Sequence, residues 1–103
     1  METIRFEYPA QQPVAGRVQV GVVGSGDLEV LIEPGHAGRT TIVVNTSVDG
    51  AASRWQALFD RMFAERSGEA AMQVEINDFG ATPGVVRMRL EQGMELVARA
   101  AGK

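Results

Sequence analysis

The chain has 103 residues, 45% of them hydrophobic and 22% charged, which is the length and composition of one folded domain with a single core. Ten basic against thirteen acidic residues leave a formal charge of -3, so there is no basic surplus of the kind that binds nucleic-acid phosphates; mild acidity fits better with docking on protein partners. Cysteine is absent, which excludes disulfides, thiolate metal sites and any protein thiol nucleophile. A chain of this kind that handled thioesters would need the sulfur to arrive on a cofactor.

The start, Met1-Glu2-Thr3-Ile4-Arg5, has no apolar stretch of signal-peptide length. The longest aliphatic run is Val30-Leu31-Ile32, far below a membrane span. The expectation is a cytoplasmic protein with no membrane contact of its own.

Ile4, Phe6 and Tyr8 alternate with Thr3, Arg5 and Glu7, the period of a half-buried strand that ends at Pro9. Residues 10–16 form a polar connection containing proline. Val18, Val20 and Val22 alternate with Arg17, Gln19 and Gly21 in a second strand, and Leu28, Val30 and Ile32 alternate with Asp27, Glu29 and Glu33 in a third. Between these two, Gly24-Ser25-Gly26-Asp27 has the composition of a tight hairpin turn, with one hydroxyl at its tip between residues of almost no bulk. Pro34 to Gly38 is a second turn, and Thr40, Ile42 and Val44 mark a fourth strand. Four segments with short connections predict an antiparallel meander with one buried face.

The period then changes. Ala51, Trp55, Leu58, Phe59, Met62 and Phe63 fall on one helical face, with Asp49 as N-cap and Ser67-Gly68 as stop. Met72, Val74 and Ile76 give a fifth strand. The loop Asp78 to Ala81 leads to Thr82-Pro83, an N-cap followed by proline at the first helical position. Val86, Leu90, Met94 and Val97 continue that helix to near Arg99, and the tail from Ala100 to Lys103 is expected to fray. Gly93 inside the helix costs about 1 kcal/mol relative to alanine and so marks a close packing contact. The predicted fold is α+β: a two-layer sandwich, with a mainly antiparallel sheet of about five strands covered on one face by two helices and anchored by Trp55, Phe59 and Phe63. It occupies residues 1–103 as a single domain.

Most candidate chemistry dissolves on inspection. His36 sits alone in a glycine-rich turn with no second histidine or cysteine to share a metal. A triad from Ser25, His36 and an aspartate would have to span two hairpin tips without a buried, oriented base. Glu29, Glu33 and Glu75 occupy the polar positions of strands. Gly35-His36-Ala37-Gly38-Arg39-Thr40 lacks the lysine and the strand-to-helix setting of a phosphate loop, and Asp78-Phe79-Gly80 matches a kinase signature in a chain too short for a kinase. The loop from Asp78 to Gly84 ends at a helix N-terminus, where plain capping competes with anion binding. Ser25 is left as the one conspicuous exposed side chain, and a hairpin serine is ordinarily a turn residue.

Three segments carry a resemblance that changes this reading: Phe6-Glu7-Tyr8-Pro9; Val20 to Val30 with the turn Gly24-Ser25-Gly26-Asp27 at its centre; and Asn77 to Val86 followed by Arg89-Leu90-Glu91-Gln92-Gly93. Together they resemble the acyl carrier (delta) subunits of bacterial malonate decarboxylases over nearly the whole chain. A shorter part of the pattern resembles the citrate lyase carrier subunit.

The resemblance implies a non-catalytic carrier. Ser25 would hold a phosphoribosyl-dephospho-CoA group through a phosphodiester, donated from triphosphoribosyl-dephospho-CoA, with Gly24, Gly26 and Asp27 around it. That group supplies the missing thiol. In the family it holds an acetyl thioester; malonate displaces acetate, and the malonyl thioester loses carbon dioxide. Implied partners are the acetyl-carrier:malonate transferase subunit, the malonyl-carrier decarboxylase subunits, and the malonyl and prosthetic-group transferases that load the carrier. Gly24 and Gly26 are expected to give access to the hydroxyl, and Asp27 to orient either the hydroxyl or the loop. The competing expectation is a small adaptor that binds proteins through its sheet face and carries no group.

Overall fold

The computed structural model describes residues 2–22, 24, 26–64 and 70–101. Five strands and two helices follow in the order β1 (Glu2–Pro9), β2 (Val18–Gly21), β3 (Leu28–Pro34), β4 (Arg39–Thr46), α1 (Ala52–Ala64), β5 (Met72–Asp78) and α2 (Pro83–Ala101). The strands form one sheet in the order β1-β4-β5-β3-β2. The two-layer α+β arrangement is therefore as expected, but the meander is not. Only β2 and β3 pair as consecutive antiparallel neighbours; β1 pairs with β4, and β4 lies parallel to β5 at the centre. The reason is α1. A helix between two strands crosses over the sheet and brings the second strand in parallel to the first, whereas a short turn would have returned it antiparallel.

Cross-strand register explains why the core is continuous. Phe6, Ile42, Val74, Ile32 and Val18 lie in one row across all five strands, and Ile4, Val44, Ile76, Val30 and Val20 in the next. Both rows face the helices, because alternate residues share a face. On that face α2 packs over β2 and β3 while α1 reaches β1. Phe59 is fully buried; its ring meets Phe6 edge-on at 5.1 Å and Trp55 at 5.7 Å. Gly93 has the close contact that its position predicts: a Cβ there would lie 2.9 Å from Ile32 Cδ1.

The opposite face is polar and bonded along its own row. Thr3 Oγ1 donates to Asn45, Asn45 Nδ2 to Asn77, Asn77 Nδ2 to Glu29, and Gln19 Nε2 to the other Glu29 oxygen, at 2.8–3.0 Å. Glu29 and Glu75 are thus members of a solvated sheet face, and Glu33 pairs with Arg17.

Four local expectations are corrected. The α1 helix starts at Ala52, with Ala51 rather than Asp49 in the capping place. The Ala51 carbonyl accepts from the N–H groups of both Arg54 and Trp55, and Ala51 is buried, which fixes the start two residues on. Strand β2 ends at Gly21, and Val22 is 60% exposed instead of facing the core. The polar connection 10–16 contributes a core residue, Val14, held by bridging to Ala71. At the other end α2 runs to Ala101, two residues past Arg99, before the chain leaves the described residues. Thr82 caps α2 as expected, its Oγ1 accepting from Val85 N–H and its carbonyl from Val86 N–H. The expected stop at Ser67-Gly68 lies outside the described residues.

Candidate functional site

The connection between β2 and β3 runs over residues 22–27, longer than a four-residue hairpin loop. The cause is Gly21, whose φ of +80° turns the chain out of the strand. Within the connection a four-residue turn closes, Asp27 N–H donating to the Gly24 carbonyl at 3.1 Å with Gly26 at φ +76°. Ser25, between those glycines in sequence, lies outside the described residues. The space beside its neighbours is open: a Cβ at Gly26 would meet nothing within 4 Å, and one at Gly24 only Val22 Cγ2 at 4.0 Å.

The root of the turn is fixed on two sides. Gly26 N–H donates to the Phe79 carbonyl at 2.8 Å, and Phe79 N–H donates back to the Asp27 carbonyl at 3.0 Å. These bonds carry the β3–β5 pairing past the strand ends and join the turn to the loop that follows β5. That loop is itself anchored by Asp78, a buried carboxylate that accepts from Thr46 Oγ1 at 2.8 Å and from Ala81 N–H at 3.0 Å. Thr46 Oγ1 in turn accepts from Val48 N–H at 3.0 Å. Each side-chain oxygen of Asp78 thus has a donor, as a buried polar group requires, and the residue ties the loops after β4 and β5 together.

Asp27 provides the second side. Its Oδ2 accepts from Arg89 Nη2 at 2.8 Å, and its Oδ1 from Arg89 Nε at 3.3 Å and from Leu28 N–H at 2.7 Å. This two-pronged pair reaches from the turn to the second turn of α2. Hydrogen bonding from Arg89, then from Leu28 N–H, holds the Asp27 carboxyl below the ordinary carboxylate range, although burial opposes it. Arg89 is raised by the same bond. Both carboxylate oxygens accept bonds from within the fold, which ties the turn to α2 and to the start of β3.

A group whose folded pKa is lowered adds stability above its unfolded value, near 4, and loses it as pH falls through the folded value. The melting temperature of wild type should therefore exceed that of Asp27→Asn at pH 7, and the gap should close as pH drops below about 4. Arg89→Gln should lower the pH 7 value similarly and remove this acid sensitivity. Thermal melts across pH 2.5–7 check both; a gap independent of pH would contradict the pairing.

The other candidates separate from this site. His36 is exposed beyond the far end of β3, and seven strand residues at about 3.4 Å each put it roughly 20 Å or more from the turn. No group of three or more His, Cys, Asp or Glu among the described residues is placed to hold a metal ion. Among the described residues no helix is long and apolar enough to cross a membrane. Sequence reasoning missed Arg89 as the partner of Asp27, since 62 positions separate them, and missed the bonding of the turn to Phe79. The family resemblance included both Asn77 to Val86 and Arg89 to Gly93, but nothing in it said that either meets the turn.

With this geometry in hand, the comparisons with known proteins are consistent with one another. The family model described as malonate decarboxylase delta subunit matches residues 15–97. The chain is 67% identical over 95 residues to a malonate decarboxylase acyl carrier protein of Pseudomonas fluorescens (strain Pf0-1), covering 92% of this chain and 95% of that one. It is 63% identical to the protein of that name from Stutzerimonas stutzeri (strain A1501), covering 94% and 97%. The fold superposes with a TM-score of 0.91, at 61% identity, on a chain in the crystal structure of a Pseudomonas malonate decarboxylase hetero-tetramer in complex with malonate, covering 94% of this chain and 99% of that chain. The chain belongs to the malonate decarboxylase delta subunit family, the acyl carrier proteins of that enzyme.

Proposed function

We propose that Ser25 is the attachment point of a phosphoribosyl-dephospho-CoA arm and that the chain carries acyl groups without catalysing their conversion. The observation that carries this reading is the contrast at the turn. Its root is fixed by the Gly26–Phe79 and Phe79–Asp27 backbone bonds and by the Asp27–Arg89 pair, while the positions on either side of Ser25 have open space around them. An arm of nucleotide size needs both a firm root and a clear approach, and the residues present fit such a group. Asp27, the nearest described carboxylate in the turn, is already paired with Arg89 and so adds little repulsion to an incoming phosphate.

Loading is a single displacement. The Ser25 hydroxyl oxygen attacks the phosphorus nearest the ribosyl unit of triphosphoribosyl-dephospho-CoA. A new O–P bond forms, diphosphate leaves, and the hydroxyl proton passes to a base of the attaching transferase. When bound, the group supplies a thiol that holds acetyl and malonyl as thioesters. The chain's own task is then mechanical, to keep the arm's root in one place while its end visits a transferase and a decarboxylase subunit. A tether of this kind raises the effective concentration at each partner to the millimolar range if it can span the sites. The hetero-tetrameric relative supports an assembly of this chain with other subunits.

The test is the intact mass of protein purified from its native host. A mass increase equal to the group, localised to the Ser25 peptide and absent in Ser25→Ala, is the expected result. An unmodified Ser25 in active native complex would overturn the proposal and leave a binding-only adaptor.

A further inference from the structure

The carboxyl ends of the parallel pair β4 and β5 open into a cleft of about 310 Å³ between the N-terminal ends of α1 and α2. Its walls are mostly apolar, with Val48, Trp55, Leu58, Pro83 and Val86, and Arg54 stands exposed at the rim. Crevices beyond the carboxyl ends of parallel strands are common ligand sites. This one begins beside the carrier turn: Phe79 bonds both Gly26 and Asp27, and the next residue, Gly80, lines the cleft.

We infer that the cleft seats the adenosine unit of the arm on Ser25, an inference that rests on the carrier reading above. Position favours this unit. The covalent order of the group runs from the serine through phosphate and ribose to adenosine, and only then through the diphosphate to pantetheine. Adenosine is therefore the aromatic part nearest the root, and the cleft begins at Gly80, next to the Phe79 that the turn bonds. Size agrees, since the volume lies at the lower end of ligand pockets, suited to a nucleoside and too small for the whole arm. Chemistry agrees as well. A planar base gains from apolar and aromatic walls, and the Arg54 guanidinium at the rim suits the diphosphate that follows.

Tethering makes weak binding sufficient, because an effective concentration in the millimolar range populates a site of millimolar affinity. Seating the adenosine shortens the mobile part of the arm to its diphosphate and pantetheine, and gives that part a fixed point of departure. The acyl thioester remains outside the cleft, free to be handed to a partner.

The test uses full-length, isotopically labelled carrier from its native host, with intact mass read on the same sample. Proton cross-relaxation is then measured between the arm and the methyl groups of Val48, Leu58 and Val86. Expected are contacts from adenine H2 and H8 to those methyls, loss of the narrow adenine lines of a free nucleotide, and a change in Trp55 emission relative to unmodified protein. A sample with the adduct but with narrow adenine lines and no contacts overturns the inference alone. Contacts from the pantetheine methyls in place of adenine overturn it too, as does a cleft protected only when partner subunits are added. A sample without the adduct overturns the carrier reading, and the inference with it.

Discussion

Phe59→Ala should lower stability by about 3–5 kcal/mol, the range for emptying a buried aromatic site. Phe59 has no exposed surface and holds two other rings, Phe6 at 5.1 Å and Trp55 at 5.7 Å. Its loss leaves a cavity where α1 meets the sheet and removes two aromatic pairs, each worth about 0.5–1.5 kcal/mol beyond area burial. A domain of this size has roughly 5–15 kcal/mol in total, so the variant approaches the folding threshold. The expected fall in melting temperature is roughly 12–40 °C. Phe59→Leu keeps most of the burial and should retain most of the stability. For comparison, Tyr8→Phe removes only a partly exposed hydrogen bond to Asp60 and should cost about 1 kcal/mol or less. If Phe59→Ala melted within a few degrees of Tyr8→Phe, the core would be centred elsewhere.

Periodicity made most of this architecture legible. Alternation is a local signal, so all five strands were readable from their own residues, and so were the three-and-four spacings of both helices. Pairing is a different matter. Nothing within Thr40 to Asn45 states that its neighbours are β1 and β5. The presence of a helix between strands four and five was the available clue to a parallel pair, and it outweighs the short connections that suggested a meander. Val22 failed for a related reason. Alternation continues through it, but the backbone does not, because Gly21 has already left the strand conformation.

The site was legible as composition and not as geometry. Gly24-Ser25-Gly26-Asp27 announces a turn, and the three matching segments announce a family. What holds the turn is invisible locally: Phe79 and Arg89 come from distant parts of the chain and meet the turn only because β5 pairs with β3 and α2 packs above it. Long-range contacts of this kind follow from topology, and the topology was the part that sequence reasoning had wrong. The cleft at the ends of β4 and β5 was hidden for the same reason.

Gly21→Ala should be the most damaging single-methyl change at the β2–β3 turn. A φ of +80° in a residue other than glycine costs about 1–3 kcal/mol. The steric term is larger, because a Cβ would lie 2.1 Å from the Leu28 carbonyl oxygen, a backbone atom that cannot rotate away. The same Cβ would stand 3.3 Å from Arg89 Nε, the group that reaches Asp27. Relief requires β2 to separate from β3 at the Gly21–Glu29 pair, which loosens the root of the turn as well as the sheet. Gly26→Ala is the control. It has a φ of +76° but would meet nothing within 4 Å, so it measures the backbone term by itself. Denaturant unfolding should rank the two clearly, Gly26→Ala losing about 1–3 kcal/mol and Gly21→Ala more. The Arg89 guanidinium signal in Gly21→Ala should also lose its dependence on Asp27. Equal losses in the two variants would mean that the Leu28 carbonyl yields freely, and that the turn's root is less firmly held than its bonds to Phe79 and Arg89 imply.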